Sequence, residues 1–497
     1  MKRHTPGPEV FEALEHAGGV RPGAAREVAK QMGRAEADVY GVATFYTLLA
    51  KPDVELRICQ GTSCALAGAF RHLEEARANG VKVEAVSCLG QCDRAPCALD
   101  GNLEPVIWGQ AGHTLPADPE LPIDLAGPDR SDYTALEKAR RIGAEAVITE
   151  IREAGLQGRG GAGFPSHIKW NGVRGQAETE RYVVVNADEG EPGTFKDREI
   201  MLRRPHRMLE GLAIAAHTVG ASVAWIYIRG EFQACRRSLE RALAEAALDL
   251  EVRFADGHGA YICGEETALL EALEGRRGMP RLKPPFPTEQ GLFGKPTLIH
   301  NVETLACVPS IVERGGAWFR GLGRTDSGSK LYCISGHVER PGVYEMPIGV
   351  TLDELVEAAG GYVGTPKAFS PGGASAGFLP MSKRDTPLDF KSLAAVGSML
   401  GSAGVVVLND TVDMAEAARW GQVFFEDETC GQCAPCRIGC SLQRQAIDRY
   451  LADRKSEHLA HVGVVHGEMD EGSICGLGMT ASLPLLSAMK HFPADFE

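Results

Sequence analysis

Nine of the chain's fourteen cysteines fall in two tight groups: Cys59, Cys64, Cys88, Cys92 and Cys97 near the start, and Cys430, Cys433, Cys436 and Cys440 near the end. Such groups restrict the fold strongly, because each must converge on one point in space. The opening Met1–Pro6 leads into no apolar run, so no secretory signal is expected. No stretch reaches the roughly 18 apolar residues of a membrane helix. The expected setting is cytoplasmic, without membrane insertion, and there grouped thiols favour metal sites over disulfides.

Cys430-x2-Cys433-x2-Cys436 puts three thiolates within one or two turns of chain, as a [4Fe–4S] cube requires. Zinc usually wants two separated pairs, and a redox pair needs only two cysteines. Spacing leaves the fourth ligand open. Cys440 would complete a ferredoxin-like run, although Ser441 and no proline follows it; Cys475, in Ser473-Ile-Cys-Gly-Leu-Gly478, is the rival. Cys59-x4-Cys64 and Cys88-x3-Cys92 each follow an expected strand end, so their loops can meet around a [2Fe–2S] rhomb. Zinc competes here by spacing, but neither pair is a C-x2-C knuckle and no histidine joins them. On this reading Cys97 is a spare thiol, and Cys235, Cys263, Cys307 and Cys333 are buried structural thiols.

A net charge of −14 with no Lys/Arg-rich block argues against nucleic acid as a partner. The length of 497 residues allows about three or four domains. The pattern predicts an α/β multidomain chain. A helical segment spans 1–52. A small α/β unit at 53–110 has strands at Val54–Cys59, Val81–Val86 and Ala98–Asn102 and a helix at Ala65–Asn79. A Pro/Gly/Asp-rich linker covers 111–131. A large α/β domain at 132–328 holds a helix over Ala135–Ala154 and strands at 181–185 and 223–228. An α+β module at 329–410 has a helix at Leu352–Ala359, and 411–497 is helical.

Gly158-Arg159-Gly160-Gly161-Ala162-Gly163 satisfies G-x-G-x-x-G, but Val147–Gly155 before it reads as helix, which rejects an ordinary dinucleotide fingerprint. What remains is glycine backbone that can approach a phosphate closely. Carboxylates crowd Asn186–Arg198 after a strand, where they suit ribose hydroxyls or a flavin edge, or form a solvated loop. Glu265 and Glu266 follow Gly264. Prolines stiffen the segment carrying Lys283 and Phe286.

Six segments together carry a resemblance: GRGGAGFP at 158–165, NADEGEPGTFKDR at 186–198, GAYICGEE at 259–266, RLKPPFP at 281–287, CGQCAPCR at 430–437 and SICGLG at 473–478. They closely resemble the flavoprotein (51 kDa-type) subunit of respiratory complex I and its relatives. Those relatives include the beta subunit of soluble NAD-dependent formate dehydrogenases and the diaphorase subunit of NAD-reducing hydrogenases. The first 110 residues, with VATFYTLL at 42–49 and CLGQCDRAP at 88–96, resemble the thioredoxin-like 24 kDa-type partner, here fused in front. The whole order looks most like a formate dehydrogenase beta subunit.

The resemblance implies FMN, NAD(H), one [4Fe–4S] and one [2Fe–2S] cluster. It implies FMN contacts at Gly158, Arg159, Gly160, Gly161, Lys169, Asn186, Asp188, Glu189 and Asn301. Glu265 and Glu266 would approach flavin and nicotinamide, with Glu266 as the catalytic positioning group. Phe164 and Phe286 would stack on adenine, with Glu191 and Lys283 nearby. The [4Fe–4S] ligands would be Cys430, Cys433, Cys436 and Cys475; the [2Fe–2S] ligands would be Cys59, Cys64, Cys88 and Cys92. A ubiquitin-like β-grasp insert and a C-terminal cluster-bearing helical bundle are also implied. Gly172 stands where the family often has a second aromatic, and Cys97 and Cys440 are unexpected thiols. The implied partner is a catalytic alpha subunit of molybdenum or tungsten formate dehydrogenase type with further iron–sulfur clusters. A hydrogenase or complex I assembly is the alternative, and a zinc-filled non-enzymatic scaffold is the alternative of a different class.

Overall fold

A computed structural model describes residues 7–497; Met1–Pro6, on which the reading of a leaderless start falls, lies outside the described residues. The strand Tyr182–Ala187 is largely apolar on both faces, as a strand covered on both sides must be. It pairs in parallel with Val223–Ile228 on one side and Thr297–Asn301 on the other, and Glu251–Asp256 extends the sheet beyond Val223–Ile228. Val183, Val185 and Ala187 face one core with Leu209, Leu212 and Leu305. Val184 joins Trp225, Tyr227 and Ile299 in the opposite core. The chain builds outward from 182–187 to 251–256, then returns to the other side of its first strand. That reversal makes a topological switch point at the carboxyl ends of 182–187 and 297–301, the crevice where open parallel sheets bind ligands.

The helices Glu9–His16, Ala24–Met32 and Glu36–Phe45 cover the second face of this sheet through Val10, Phe11, Val28 and Val42. Tyr46 Oη donates to Arg276 O and an Arg34 guanidinium N–H to Gly275 O, each at 2.8 Å. A small sheet follows in the order 83–86, 56–59, 97–100, 105–107, its first pair parallel and the rest antiparallel. The single helix expected at Ala65–Asn79 is two, Thr62–Leu66 and Ala69–Ala78, broken at Gly68 with φ +85°. Ala135–Ala154 likewise divides into Thr134–Ile142 and Ala144–Ala154 at Gly143, φ +83°. Left-handed glycines stop helices that apolar periodicity alone would run together.

The segment read as a linker is fastened down. His113–Thr114 adds a parallel edge strand to Gly342–Val343, and the backbone N–H groups of Ile123 and Asp124 donate to the Glu345 carboxylate at 3.2 and 2.8 Å. The sheet it joins runs 379–380, 366–370, 404–409, 329–336, 342–347, 113–114. Its helix Leu352–Ala358 starts in a capping box between Thr351 and Glu354. The last helices, Met414–Glu428, Ala434–Asp453 and Leu483–His491, pack together. Among the described residues no helix is long and apolar enough to cross a membrane.

Helices Pro205–Val219 and Val302–Arg314 meet so closely that a Cβ on Gly211 would lie 2.0 Å from Leu305 O. Gly211→Val is therefore expected to destabilise the chain by about 1–3 kcal/mol, read as a lowered thermal midpoint. An unchanged midpoint would mean the two helices part freely.

Candidate functional site

After Gly155 the loop Gly158–Pro165 folds back on itself, with Gly158 N–H donating to Phe164 O at 2.8 Å. A helix, not a strand, precedes it. Gly161 has φ +147°, and a Cβ on Gly160 would lie 3.1 Å from Asn301 Cβ. The loop thus presents bare backbone beside Asn301, at the switch point. Arg159 is turned away, which corrects its expected cofactor contact. Its backbone N–H meets Thr304 Oγ1 at 2.9 Å, and its fully buried guanidinium donates to Ser327 O and Ser329 O at 3.1 Å. Both carbonyls are bonded by one nitrogen, Nη2, which ties the side chain to the start of the neighbouring module.

A cavity of about 390 Å³ starts at Gly160, Gly161 and Asn301, passes Asn186, Asp188, Glu189 and Glu191, and reaches Glu265 and Cys475. Loops of the inserted module, at Gly372, Ser375 and Ser402, complete its wall. Sequence reasoning left the Ser370–Gly373 turn without a role, because nothing local says that it closes over a distant strand end. Asn186 Nδ2 donates to Gly264 O at 2.8 Å, and Asp188 N–H to Asn186 Oδ1 at 3.2 Å. Asp188 Oδ2 is buried with no partner, and burial pushes this carboxyl well above the usual range. Glu189 accepts the N–H groups of Asp197 and Arg198 at 2.8 and 3.0 Å, capping the helix Lys196–Arg203. Burial, with Asp197 adding repulsion, pushes Glu189 up to about 7. Glu191 accepts from Tyr261 Oη at 2.5 Å and Ser375 N–H at 3.0 Å.

Lys196 and Asp197 are among the lining residues that sequence reasoning missed. Lys196 is fully buried, 2.7 Å from Asp197 and 3.0 Å from Glu303. Burial works against its charge, but Asp197 and Glu303 outweigh burial and raise its pKa. Asn301 Nδ2 donates to Asp197 Oδ2 at 2.6 Å. The signal was present: Lys196-Asp197-Arg198 sets three charges at a helix start, more than a solvated loop needs.

Glu265 caps the helix Glu266–Leu273 by accepting from Thr267 and Ala268 N–H at 2.8 and 2.9 Å. Its other oxygen meets Lys283 Nζ at 2.9 Å. Glu266 lies between Lys169 at 2.6 Å and Lys283 at 3.1 Å. Burial would raise this carboxyl, but Lys169 first and Lys283 next hold it down at about 2. Behind them burial, with Lys169, keeps His300 neutral at about 3, and it accepts from Trp170 Nε1 at 2.7 Å. Phe164 and Phe286 are outside the cavity, 46% and 50% exposed. They stand just before two helices, Ser166–Arg174 and Pro287–Gln290, that pack on each other.

Cys430, Cys433 and Cys475 are half-buried and Cys436 is buried, all against the same apolar core. The loop carrying Cys475 lies on the cysteine run: a Cβ on Gly478 would be 3.0 Å from Cys436 Cβ. Cys475 opens onto the cavity, whereas Cys440 is wholly buried with its Sγ 3.9 Å from Cys436 Sγ. On the loop between strands 83–86 and 97–100 the sulfurs of Cys88 and Cys92 lie 3.6 Å apart, and Cys59 Sγ is 3.2 Å from Ser87 O. Cys64 is 3.7 Å from Cys97, so the thiol read as spare sits within the group.

Four family models match: the Nuo51 FMN-binding domain at 151–310, the NADH-ubiquinone oxidoreductase-F iron–sulfur binding region at 416–497, the SLBB domain at 331–379 and the thioredoxin-like [2Fe–2S] ferredoxin at 10–102. The second F subunit of NADH-quinone oxidoreductase in Rhizobium meliloti (strain 1021) is 47% identical over 383 residues, 73% of this chain and 91% of that protein. The chain belongs to the family of NADH-quinone oxidoreductase F subunits. The F subunit of Mycobacterium tuberculosis (strain ATCC 25618 / H37Rv) is 44% identical over 385 residues, covering 73% of this chain and 86% of its own. A crystal structure of NAD+-reducing [NiFe]-hydrogenase in the H2-reduced state superposes at TM-score 0.91 with 31% identity, over 99% of this chain and 93% of that one.

The chain is therefore an NAD-dependent oxidoreductase subunit with FMN, [4Fe–4S] and [2Fe–2S] as its cofactor classes. Its residues fit them. The bare glycine backbone suits a phosphate, the unmet Asp188 Oδ2 suits a ribityl or ring donor, and soft thiolates suit iron–sulfur clusters. Cys475→Ser is expected to lose the [4Fe–4S] iron and EPR signal while Cys440→Ser keeps both; the reverse pattern would reassign the fourth ligand.

Proposed function

We propose that this chain is the NADH-oxidising or NAD+-reducing diaphorase subunit of a cytoplasmic formate dehydrogenase complex. The observation that carries the diaphorase role is the continuous cavity that joins the glycine loop at the switch point to Cys475. FMN, when bound, accepts the two electrons of a hydride and passes them on singly. The residues then have separate tasks. Gly160 and Gly161 admit the phosphate, Asn186, Asp188 and Asn301 hold the flavin, and Glu189 fixes the helix that carries Lys196. Glu266, ionised between two lysines, orients the nicotinamide; Phe164 and Phe286 supply an exposed aromatic surface for adenine. No side chain is needed as nucleophile or general base. Cys430, Cys433, Cys436 and Cys475 would hold a [4Fe–4S] cluster, which would supply the one-electron step onward, and Cys59, Cys64, Cys88 and Cys92 would hold the N-terminal cluster, which would serve as a store or an exit toward a partner.

For formate as the second substrate, the support is the resemblance of the whole chain, fused front included, to formate dehydrogenase beta subunits. The chain shows no molybdopterin-type or nickel–iron-type motif, so formate or hydrogen chemistry belongs to a catalytic alpha subunit with its own clusters. A second reading, the diaphorase of an NAD-reducing hydrogenase, is favoured by the solved hydrogenase chain that spans this chain over 99% of its length.

Glu266 has a depressed pKa, so its contribution to stability is complete above the unfolded carboxylate value, about 4.3, and is lost as pH falls toward about 2. The NADH-to-dye pH profile should therefore show no acid limb from Glu266 above roughly pH 4.5. Glu266→Gln should lower kcat/KM about tenfold with the profile's shape unchanged; unaltered turnover would remove Glu266 from the nicotinamide site. For the complex, the test is formate-dependent NAD+ reduction by the native assembly, purified gently through a tag on this chain. Activity is expected. Its absence, with NADH-to-dye turnover intact, would leave the diaphorase role and pass the second substrate to hydrogen or quinone.

A further inference from the structure

Strand Leu56–Cys59 runs antiparallel to Cys97–Asp100, with Leu56 opposite Asp100 and Ile58 opposite Ala98. One more step of that register sets Cys59 opposite Cys97. Cross-strand partners share a sheet face, and both thiols are buried. Cys97 Sγ lies 3.7 Å from Cys64 Sγ, and the sulfurs of Cys59, Cys64 and Cys97 all lie within 4.8 Å of one another. Two thiolates bound at about 2.3 Å to one tetrahedral metal sit roughly 3.8 Å apart. The Cys88–Cys92 pair, at 3.6 Å, has that separation. So does Cys64–Cys97. Five buried thiols thus converge where a [2Fe–2S] cluster needs four, and the fifth already stands at chelating distance from an assigned ligand.

We propose that Cys97 is a reserve ligand of the [2Fe–2S] cluster, able to take the place of Cys59 on the iron held by Cys64. In the exchange the Cys97 thiol gives up its proton and forms an Fe–S bond. The Cys59 thiolate leaves iron and takes up a proton, so no electron is gained or lost. The register explains why Cys59 is the residue replaced: Cys97 faces it across the sheet, and the swap needs side-chain rotation with no break in strand pairing.

The proposal rests on Cys59, Cys64, Cys88 and Cys92 being the resident ligands. Its test uses the full chain, purified without oxygen, as wild type, Cys59→Ala, Cys97→Ala and the double variant. The EPR signal of the reduced [2Fe–2S] cluster and total iron report the cluster; FMN content reports folding. Cys59→Ala should keep about half or more of the [2Fe–2S] signal, the double variant about a tenth or less, and Cys97→Ala alone all of it. Equal loss in Cys59→Ala and the double variant would overturn the proposal. Loss from Cys97→Ala alone would overturn the resident set as well, by making Cys97 an obligatory ligand. Cys59→Ser repeats the comparison should alanine cost the fold. Loss of FMN from both Cys59 variants would also count against a working reserve ligand.

Discussion

Lys196 carries a full charge with no contact with water, and much of the molecule is arranged to keep it satisfied. Asp197 and Glu303 neutralise it, and Asn301, which reaches its ammonium at 3.4 Å, also bonds Asp197. Glu303 holds a second buried cation, Lys330, on the first strand of the inserted module. Burial, partly offset by Glu303, lowers Lys330 to about 8. Removing one member of such a network leaves an uncompensated buried charge, a loss of about 3–5 kcal/mol. Two residues on, Arg198 points the other way. It donates to Gly90 O at 2.6 Å and Gln91 Oε1 at 2.8 Å and pairs with Asp93 at 2.7 Å, all on the loop between Cys88 and the sheet. One helix start therefore meets the crevice at the switch point, the inserted module and the ferredoxin loop at once.

A second line of contacts joins the same parts. Glu428, two residues before Cys430, accepts from Ser87 Oγ, beside Cys88, and from Tyr261 N–H at 3.0 Å. Tyr261 Oη in turn reaches Glu191 in the cavity wall, and Glu191 reaches Ser375. Buried polar networks of this kind are rigid when every member has a partner. For an electron carrier that rigidity fixes the separations between centres, which side chains on mobile loops would not.

Local chemistry made much of this legible. The strands expected at 181–185 and 223–228 lie within a residue or two of those observed, and the cysteine groups pointed to iron–sulfur chemistry from spacing alone. What stayed hidden depends on partners far away in sequence. Gly143 looks like any helix glycine until its left-handed backbone breaks the helix. Arg159 sits among glycines that do line the crevice, yet its side chain is claimed by carbonyls at 327 and 329. Cys97 looks spare by spacing, because only antiparallel register puts it opposite Cys59. The segment 111–131 has linker composition, and the partner that orders it, Glu345, lies more than 200 residues on.

That fastened segment changes how the ferredoxin unit must be held. Separate subunits meet at their cellular concentrations and lose translational freedom each time they associate. A short tether replaces that with an effective concentration on the order of millimolar. The tether here is also zipped onto the edge of another sheet, so less of its own chain freedom remains to be lost. The contact surface around Arg198 can then be small and polar and still remain closed. One translated chain also supplies one N-terminal cluster domain for every flavin domain, so neither accumulates without the other.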